Sequence, residues 1–117
     1  MCRCMKMVIA IIRPESLDNV KQALFNAEIH KMTVSPVRGC GQQKGYTENY
    51  RGSIKTINLL PKIRIEIVVN DSFVKPTIDA IISSARSGNI GDGKIFVMPV
   101  EEVYRIRTGE TGSEAIG

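Results

Sequence analysis

The stretch "PKIRIEIVV", residues 61–69, is the part of the chain that most clearly decides the fold. Ile63, Ile65 and Ile67 occupy alternate positions, and Arg64 and Glu66 lie between them. A period of two is typical of a β-strand with one face in a core and the other partly solvated. We therefore expect at least one sheet that is covered on a single face.

Three further strands and two helices are predicted around this stretch. Apolar residues at helical spacing predict helices over residues 17–27 and 73–85. Pro36 indicates an edge position or a bulge for the strand that contains it, because proline cannot donate to a sheet ladder. The other predicted strands are "KMVIAIIR" (residues 6–13), "KMTVSPVRGCG" (31–41) and "KIFVMPVEEV" (94–103).

The predicted order is β-α-β, a long polar loop, and β-α-β. This order predicts an α+β fold of the ferredoxin-like, split βαβ type, in one domain that spans residues 1–117. Both helices then cover one sheet face and leave the other, with its isoleucines, uncovered. Self-association is the simplest way to cover that second face.

Composition limits the classes of function. The chain has 117 residues, 43% of them hydrophobic, a formal net charge of +4 and no apolar run that approaches a membrane span. We expect a cytoplasmic protein with anionic partners. Three cysteines without paired spacing predict neither a disulfide framework nor a zinc site. Nucleic-acid binding through the sheet is disfavoured, because Phe96 is the only aromatic residue in the predicted strands.

Three glycine-bearing segments, "RGCGQQKG", "GNIGDGK" and "RIRTGE", contain or adjoin cations and together suggest a polyanion site. Each alone is more often a glycine turn with solvated charges. Catalysis has little support: His30 is the only histidine and fits a surface or capping role. Asp92 between two glycines fits a turn-closing carboxylate better than a metal ligand.

The segments "MVIAIIRPESLDNVKQAL", "GQQKGYTENYRG", "LPKIRIEIVV" and "GNIGDGKIFVMPVEEVYRIRTGE" resemble the PII nitrogen-regulatory signal proteins, the GlnB and GlnK group. The resemblance runs from about Met5 to Glu110 and implies a non-catalytic homotrimer. It also implies that ATP or ADP binds in clefts between subunits, with Arg105 and Arg107 contributed by the neighbouring subunit. The implied nucleotide-binding residues are Thr33, Gly41, Gln42, Val68, Gly91, Asp92, Gly93, Lys94, Arg105 and Arg107.

The same resemblance implies that Gln43 and Lys62 bind 2-oxoglutarate, and that Gln43 helps to hold Mg²⁺ with ATP. The polar stretch at about 41–59 corresponds to the T-loop, which engages target proteins, and residues 108–117 form a polar tail. Tyr50, Arg51 and Ser53 are the implied target contacts, since Arg51 matches the arginine that enters an ammonium transporter. Reversible recruitment to the inner face of the membrane would follow.

Two positions depart from the family pattern. Lys55 stands where many members carry a uridylylated tyrosine, which excludes that modification there, and Gln42 stands where many carry an arginine that contacts ATP. Ser53 matches a serine that cyanobacterial members phosphorylate. Glutamine synthetase and other nitrogen-metabolism proteins stay open as targets. The alternatives in function are a slow nucleotide hydrolase of the same fold and an interaction module that senses adenylates only.

Overall fold

The structure, a computed structural model, describes residues 5–40 and 59–116. Its strands are Met5–Ile12 (β1), Thr33–Gly39 (β2), Leu60–Asn70 (β3) and Gly93–Val100 (β4), and its helices are Leu17–Asn26 (α1), Val74–Ala85 (α2) and Ser113–Ile116 (α3). The strands form one antiparallel sheet in the order β2-β3-β1-β4. This is the predicted α+β fold with ferredoxin-like topology.

The hydrophobic core lies between the sheet and the first two helices. Alternate residues of β1 and β3 face the helices, and Val20 and Leu24 of α1 and Ile81 of α2 pack against them. Both helices therefore cover the same sheet face, as predicted. The buried strand residues of this core are Val8, Ala10, Ile12, Ile65, Ile67 and Val69.

The opposite sheet face, which we call the open face, does not carry the isoleucines of β3 that were expected there. The isoleucines of β3 at positions 65 and 67 belong to the helix-covered core, because they pair with Ala10 and Val8. The register instead brings Ile9, Glu66 and Phe96 side by side on the open face. Phe96 is 49% exposed and Met98 is 42% exposed, so β4 makes this face apolar at its edge.

The end of α1 is closed by a residue in the left-handed region. Glu28 has φ 68°, its N–H donates to Phe25 O at 2.9 Å, and the Ile29 N–H donates to Leu24 O at 2.9 Å. These bonds form a Schellman motif, and Leu24 and Ile29 are both buried in the core. Glycine usually occupies the Glu28 position, so no sequence signal marked this helix end.

Element boundaries differ from the predicted ones by at most three residues, and three short elements of the described ranges were not predicted. The 3-10 turns Pro14–Ser16 and Asp71–Phe73 lead into the first two helices, and α3 lies within the predicted polar tail. Pro36 lies on an edge strand, as expected. No helix in ranges 5–40 and 59–116 has the length and hydropathy of a membrane span.

Candidate functional site

One end of the sheet collects several predicted ligand-binding residues. Lys62 of β3 pairs with Val37 of β2, and Gly93 and Lys94 of β4 pair with the last two residues of β1. A cleft of about 550 Å³ opens there. Lys62, Gly91, Asp92, Gly93 and Lys94 all line it, so this part of the predicted site is brought together. Neither lysine forms an ion pair with another residue in the described ranges.

The turn that precedes β4, residues 87–93, is organised by Asp92. Its carboxylate accepts hydrogen bonds from the Ser87 N–H at 2.7 Å, from the Gly88 N–H at 2.8 Å and from the Ser87 hydroxyl. These bonds, led by the one from the Ser87 hydroxyl, lower the pKa of Asp92 to about 2. The carboxylate closes the turn, which is the role that its position between two glycines favoured.

Gly93 allows β4 to approach β1. A Cβ atom at this position would lie 2.0 Å from the carbonyl oxygen of Ile11, and φ is 119°. Only glycine fits both restrictions without a shift of the backbone. The packing of β4 against β1 therefore requires the glycine that the motif places before Lys94.

Arg13 also belongs to this end of the sheet, although it was not among the predicted site residues. Its Nη2 donates to Ile90 O at 2.6 Å, and its Nε lies 3.6 Å from Asp92 Oδ1. The partners lie 77 and 79 residues further along the chain, so no local pattern relates them to Arg13. In the sequence Arg13 was the last residue of the predicted first strand, and no pattern singled it out.

The remaining described residues of the predicted nucleotide site lie toward the opposite end of the sheet. Thr33 pairs with Glu66, and Val68 pairs with Met7. Val68 lies six residues from Lys62 along β3, a separation of about 20 Å at the usual rise per residue. Thr33 is exposed and Val68 is half-buried.

Arg105 and Arg107 belong to a turn beyond the end of β4. The Gly109 N–H donates to Arg105 O at 2.7 Å, and the Arg105 guanidinium binds Glu110 Oε1 at 2.9 Å and Glu114 O at 3.1 Å. Ile116, which follows in α3, lines a groove with Val68 and Asn70. This turn therefore lies at the Val68 end of the sheet. The Arg107 side chain has no polar partner among residues 5–40 and 59–116.

The described site residues thus fall into two groups. The first group, which we call the phosphate-turn group, comprises Lys62 and residues 91–94; the second, which we call the arginine group, comprises Thr33, Val68, Arg105 and Arg107. Within one chain Val68 lies near the end of the sheet opposite the phosphate-turn group, and Thr33, which pairs with Glu66, is level with Ile9 in the middle of β1. The cleft at Lys62 and the groove at Val68 have no lining residue in common.

Several predicted site residues lie outside the described ranges, and their roles stay predictions: Gly41, Gln42, Gln43, Tyr50, Arg51 and Ser53. His30 is exposed and its ring packs edge-to-face on Phe25, with centroids 4.6 Å apart. It follows α1 and lies near the start of β2, away from the phosphate-turn group. Ranges 5–40 and 59–116 hold no cluster of three His, Cys, Asp or Glu residues suited to a metal ion.

The fold and the site together define a class: a ferredoxin-like α+β protein whose clustered lysines and glycine turn suit an anionic ligand. The family model "Nitrogen regulatory protein P-II" matches residues 5–110 of the chain. The chain belongs to this family of nitrogen-regulatory signal proteins, as the resemblance of its motifs indicated.

Curated relatives and a solved structure agree with this assignment. "Nitrogen regulatory protein P-II" of Nostoc punctiforme is 61% identical over 112 residues, which are 96% of this chain and 100% of that protein. "Nitrogen regulatory protein GlnK1" of Methanosarcina mazei is 58% identical over 96% of this chain and 97% of that protein. The structure of Arabidopsis thaliana PII bound to citrate matches with a TM-score of 0.78 at 40% identity, over 96% of this chain and 89% of that one.

Proposed function

We propose that the protein is a homotrimeric, non-catalytic sensor that binds ATP or ADP and 2-oxoglutarate and regulates a target through its T-loop, with an ammonium transporter as the favoured target. The observation that carries the proposal is the division of the site residues between two ends of one sheet. Lys94 pairs with Ile11 and Val68 pairs with Met7, so the two groups lie about 13 Å apart along the sheet within one chain, and a second chain can supply at each end the group that the first chain lacks there.

A head-to-tail ring solves this geometric problem. If the phosphate-turn group of one subunit faces the arginine group of the next, each contact completes one site, and a closed ring leaves no group unpaired. Three subunits then create three equivalent clefts. In each cleft the phosphates lie at the Gly91–Lys94 turn of one subunit, Arg105 and Arg107 reach them from the neighbour, and Thr33 and Val68 enclose the adenine.

The open face supports assembly independently of the ligand. Phe96 and Met98 leave an apolar edge exposed, and removing apolar area from water contributes about 25 cal/mol per Å² toward association before the entropic cost of binding is subtracted. Ile9 lies beside Phe96 on the same face. In the trimer this face packs against the neighbouring subunits.

The chemistry of the phosphate-turn group fits a polyphosphate and a keto acid. Lys62 and Lys94 are cations that no described residue neutralises, and both line the cleft. Mg²⁺ prefers oxygen ligands and binds readily to phosphates. The ion would be held by ATP phosphates, 2-oxoglutarate and the side-chain oxygen of Gln43, while Lys62 pairs with the 2-oxoglutarate carboxylate.

The residues that flank the proposed T-loop connect occupancy of the cleft to the target. Cys40 and Lys62 both line the cleft, and the stretch of about 41–59 joins them. A ligand in the cleft therefore contacts both ends of the loop and biases its conformations toward or away from the target. Tyr50, Arg51 and Ser53 make the target contact. The protein is cytoplasmic and reaches the inner membrane face only through a transporter.

Calorimetric titration tests the proposed function. The protein is titrated with 2-oxoglutarate alone and then in saturating Mg-ATP, beside a Lys62→Ala variant and a Lys75→Ala control on α2. The proposal expects 2-oxoglutarate to bind only with Mg-ATP, and expects Lys62→Ala alone to abolish that binding. Adenylate binding without any 2-oxoglutarate binding would favour the adenylate-only module, and steady phosphate release would favour the hydrolase.

A further inference from the structure

Arg13 connects the end of β1 to the turn before β4 at two points. One contact is the hydrogen bond from Nη2 to Ile90 O at 2.6 Å, and the other is the 3.6 Å approach of Nε to Asp92 Oδ1. The Nε atom is buried and has no hydrogen-bond partner among the described residues. A shift of a fraction of an ångström would turn the ion pair into a hydrogen bond.

The carboxylate of Asp92 presents an electrostatic problem for a phosphate site. It lies within the cleft lining beside Gly91 and Lys94, where an unpaired negative charge would repel a nucleoside triphosphate. Hydrogen bonds from Ser87 and Gly88 turn the carboxylate back into its own loop, and Arg13 supplies the opposite charge. The low pKa of Asp92, about 2, keeps it ionised at neutral pH, so the pair has no net charge.

We propose that Arg13 and Asp92 act as a positioning pair for phosphate recognition: Arg13 fixes the turn that presents Gly91–Lys94 and cancels the carboxylate charge that would otherwise repel the phosphates. Neither side chain needs to touch the ligand. The inference rests on the proposed nucleotide site and adds to it a residue, Arg13, that lies on a different element from the glycine motif.

A double-mutant cycle with three probes tests the pair. Wild type, Arg13→Gln, Asp92→Asn and the double variant are titrated with ATP, inorganic tripolyphosphate and adenosine at one fixed salt concentration. Arg13→Gln should weaken ATP and tripolyphosphate by about tenfold, the usual range for loss of a charge-assisted contact, and leave adenosine unchanged. The double variant should bind phosphates better than Arg13→Gln, because it lacks the Asp92 carboxylate that Arg13→Gln leaves without a compensating charge.

Two further variants separate positioning from general destabilisation. Lys75→Gln removes the Lys75–Asp79 ion pair on α2, at 2.9 Å and exposed to solvent, and should change none of the three affinities. Arg13→Lys keeps the charge without the guanidinium fork, so its tripolyphosphate affinity should lie between those of wild type and Arg13→Gln. Thermal unfolding and molar mass identify any variant that fails to fold or assemble.

The outcomes distinguish the inference from the proposed function. Additive single effects, or an Arg13→Gln protein that binds tripolyphosphate like wild type, overturn the positioning role while the nucleotide site stands. Equal losses for adenosine and tripolyphosphate also overturn it, because a merely structural role would affect both ends of the ligand. A wild-type protein that binds neither ATP nor tripolyphosphate refutes the proposed function and the pair together.

Discussion

Substitution of Gly93 by alanine should destabilise the protein more than the same change at Gly88 in the same turn. The added Cβ at position 93 would lie 2.0 Å from Ile11 O and 3.1 Å from Ile11 C, and φ is 119°. Backbone strain there costs about 1–3 kcal/mol, and moving β4 away from β1 adds about 1–3 kcal/mol. We expect a total loss of about 2–6 kcal/mol from these two contributions.

Gly88→Ala is the matched control. Gly88 has φ 90°, and an added methyl group there would find no atom within 4 Å, so only the strain of about 1–3 kcal/mol applies. Urea unfolding of both variants at one protein concentration measures the difference, since assembly makes stability depend on concentration. Equal losses for the two variants would refute the argument that the close approach of β4 to Ile11 selects glycine.

Three further results are expected. Glu28→Gly should raise the free energy of unfolding by about 0.5–1 kcal/mol, because glycine relieves the left-handed backbone strain at the end of α1. Glu28→Ala should change the free energy of unfolding little, and urea unfolding measures both variants. In the folded protein the pKa of Asp92 is lowered from 3.8 to about 2. Its ionised carboxylate therefore stabilises the folded state above about pH 4, and this contribution is lost as the pH falls through 2. Asp92→Asn should therefore lack that part of the acid transition in urea titrations at about pH 5, 3 and 2, and an identical pH dependence in both proteins would contradict the assignment. Phe96→Glu on the open face should dissociate the proposed trimer in light-scattering measurements. Phe25→Glu should not, because Phe25, which is 60% exposed, lies on α1 and outside the open face.

The fold was largely predictable because its signals are local. The alternation of residues 63–67 and the helical spacing of residues 17–27 and 73–85 each predict an element with one buried face. In the structure those faces pack together in one hydrophobic core. Pro36 indicated an edge strand because proline has no backbone N–H to donate to a neighbouring strand. The Schellman motif at Glu28 was missed because a non-glycine residue adopts a conformation that sequence alone assigns to glycine.

The candidate site was predictable only in part. The resemblance identified residues 91–94 and Lys62, which the structure brings into one cleft. Arg13 escaped notice because its contacts with Ile90 and Asp92 depend on the β1–β4 register, which no local pattern encodes. The separation of Arg107 from Lys94 along the sheet also required the topology, and that separation is the basis for a site formed by two chains.

A subunit-complementation experiment tests the two-chain site most directly. Lys94→Ala and Arg107→Ala, each expected to abolish ATP binding alone, are unfolded together, refolded as mixed trimers and titrated with Mg-ATP. If neighbouring chains supply the two groups, about one quarter of the clefts regain both cations, and binding returns with wild-type affinity at about one quarter of the wild-type stoichiometry. Mixed trimers that bind no ATP, while wild-type protein refolded in the same way does, would contradict a site shared between chains.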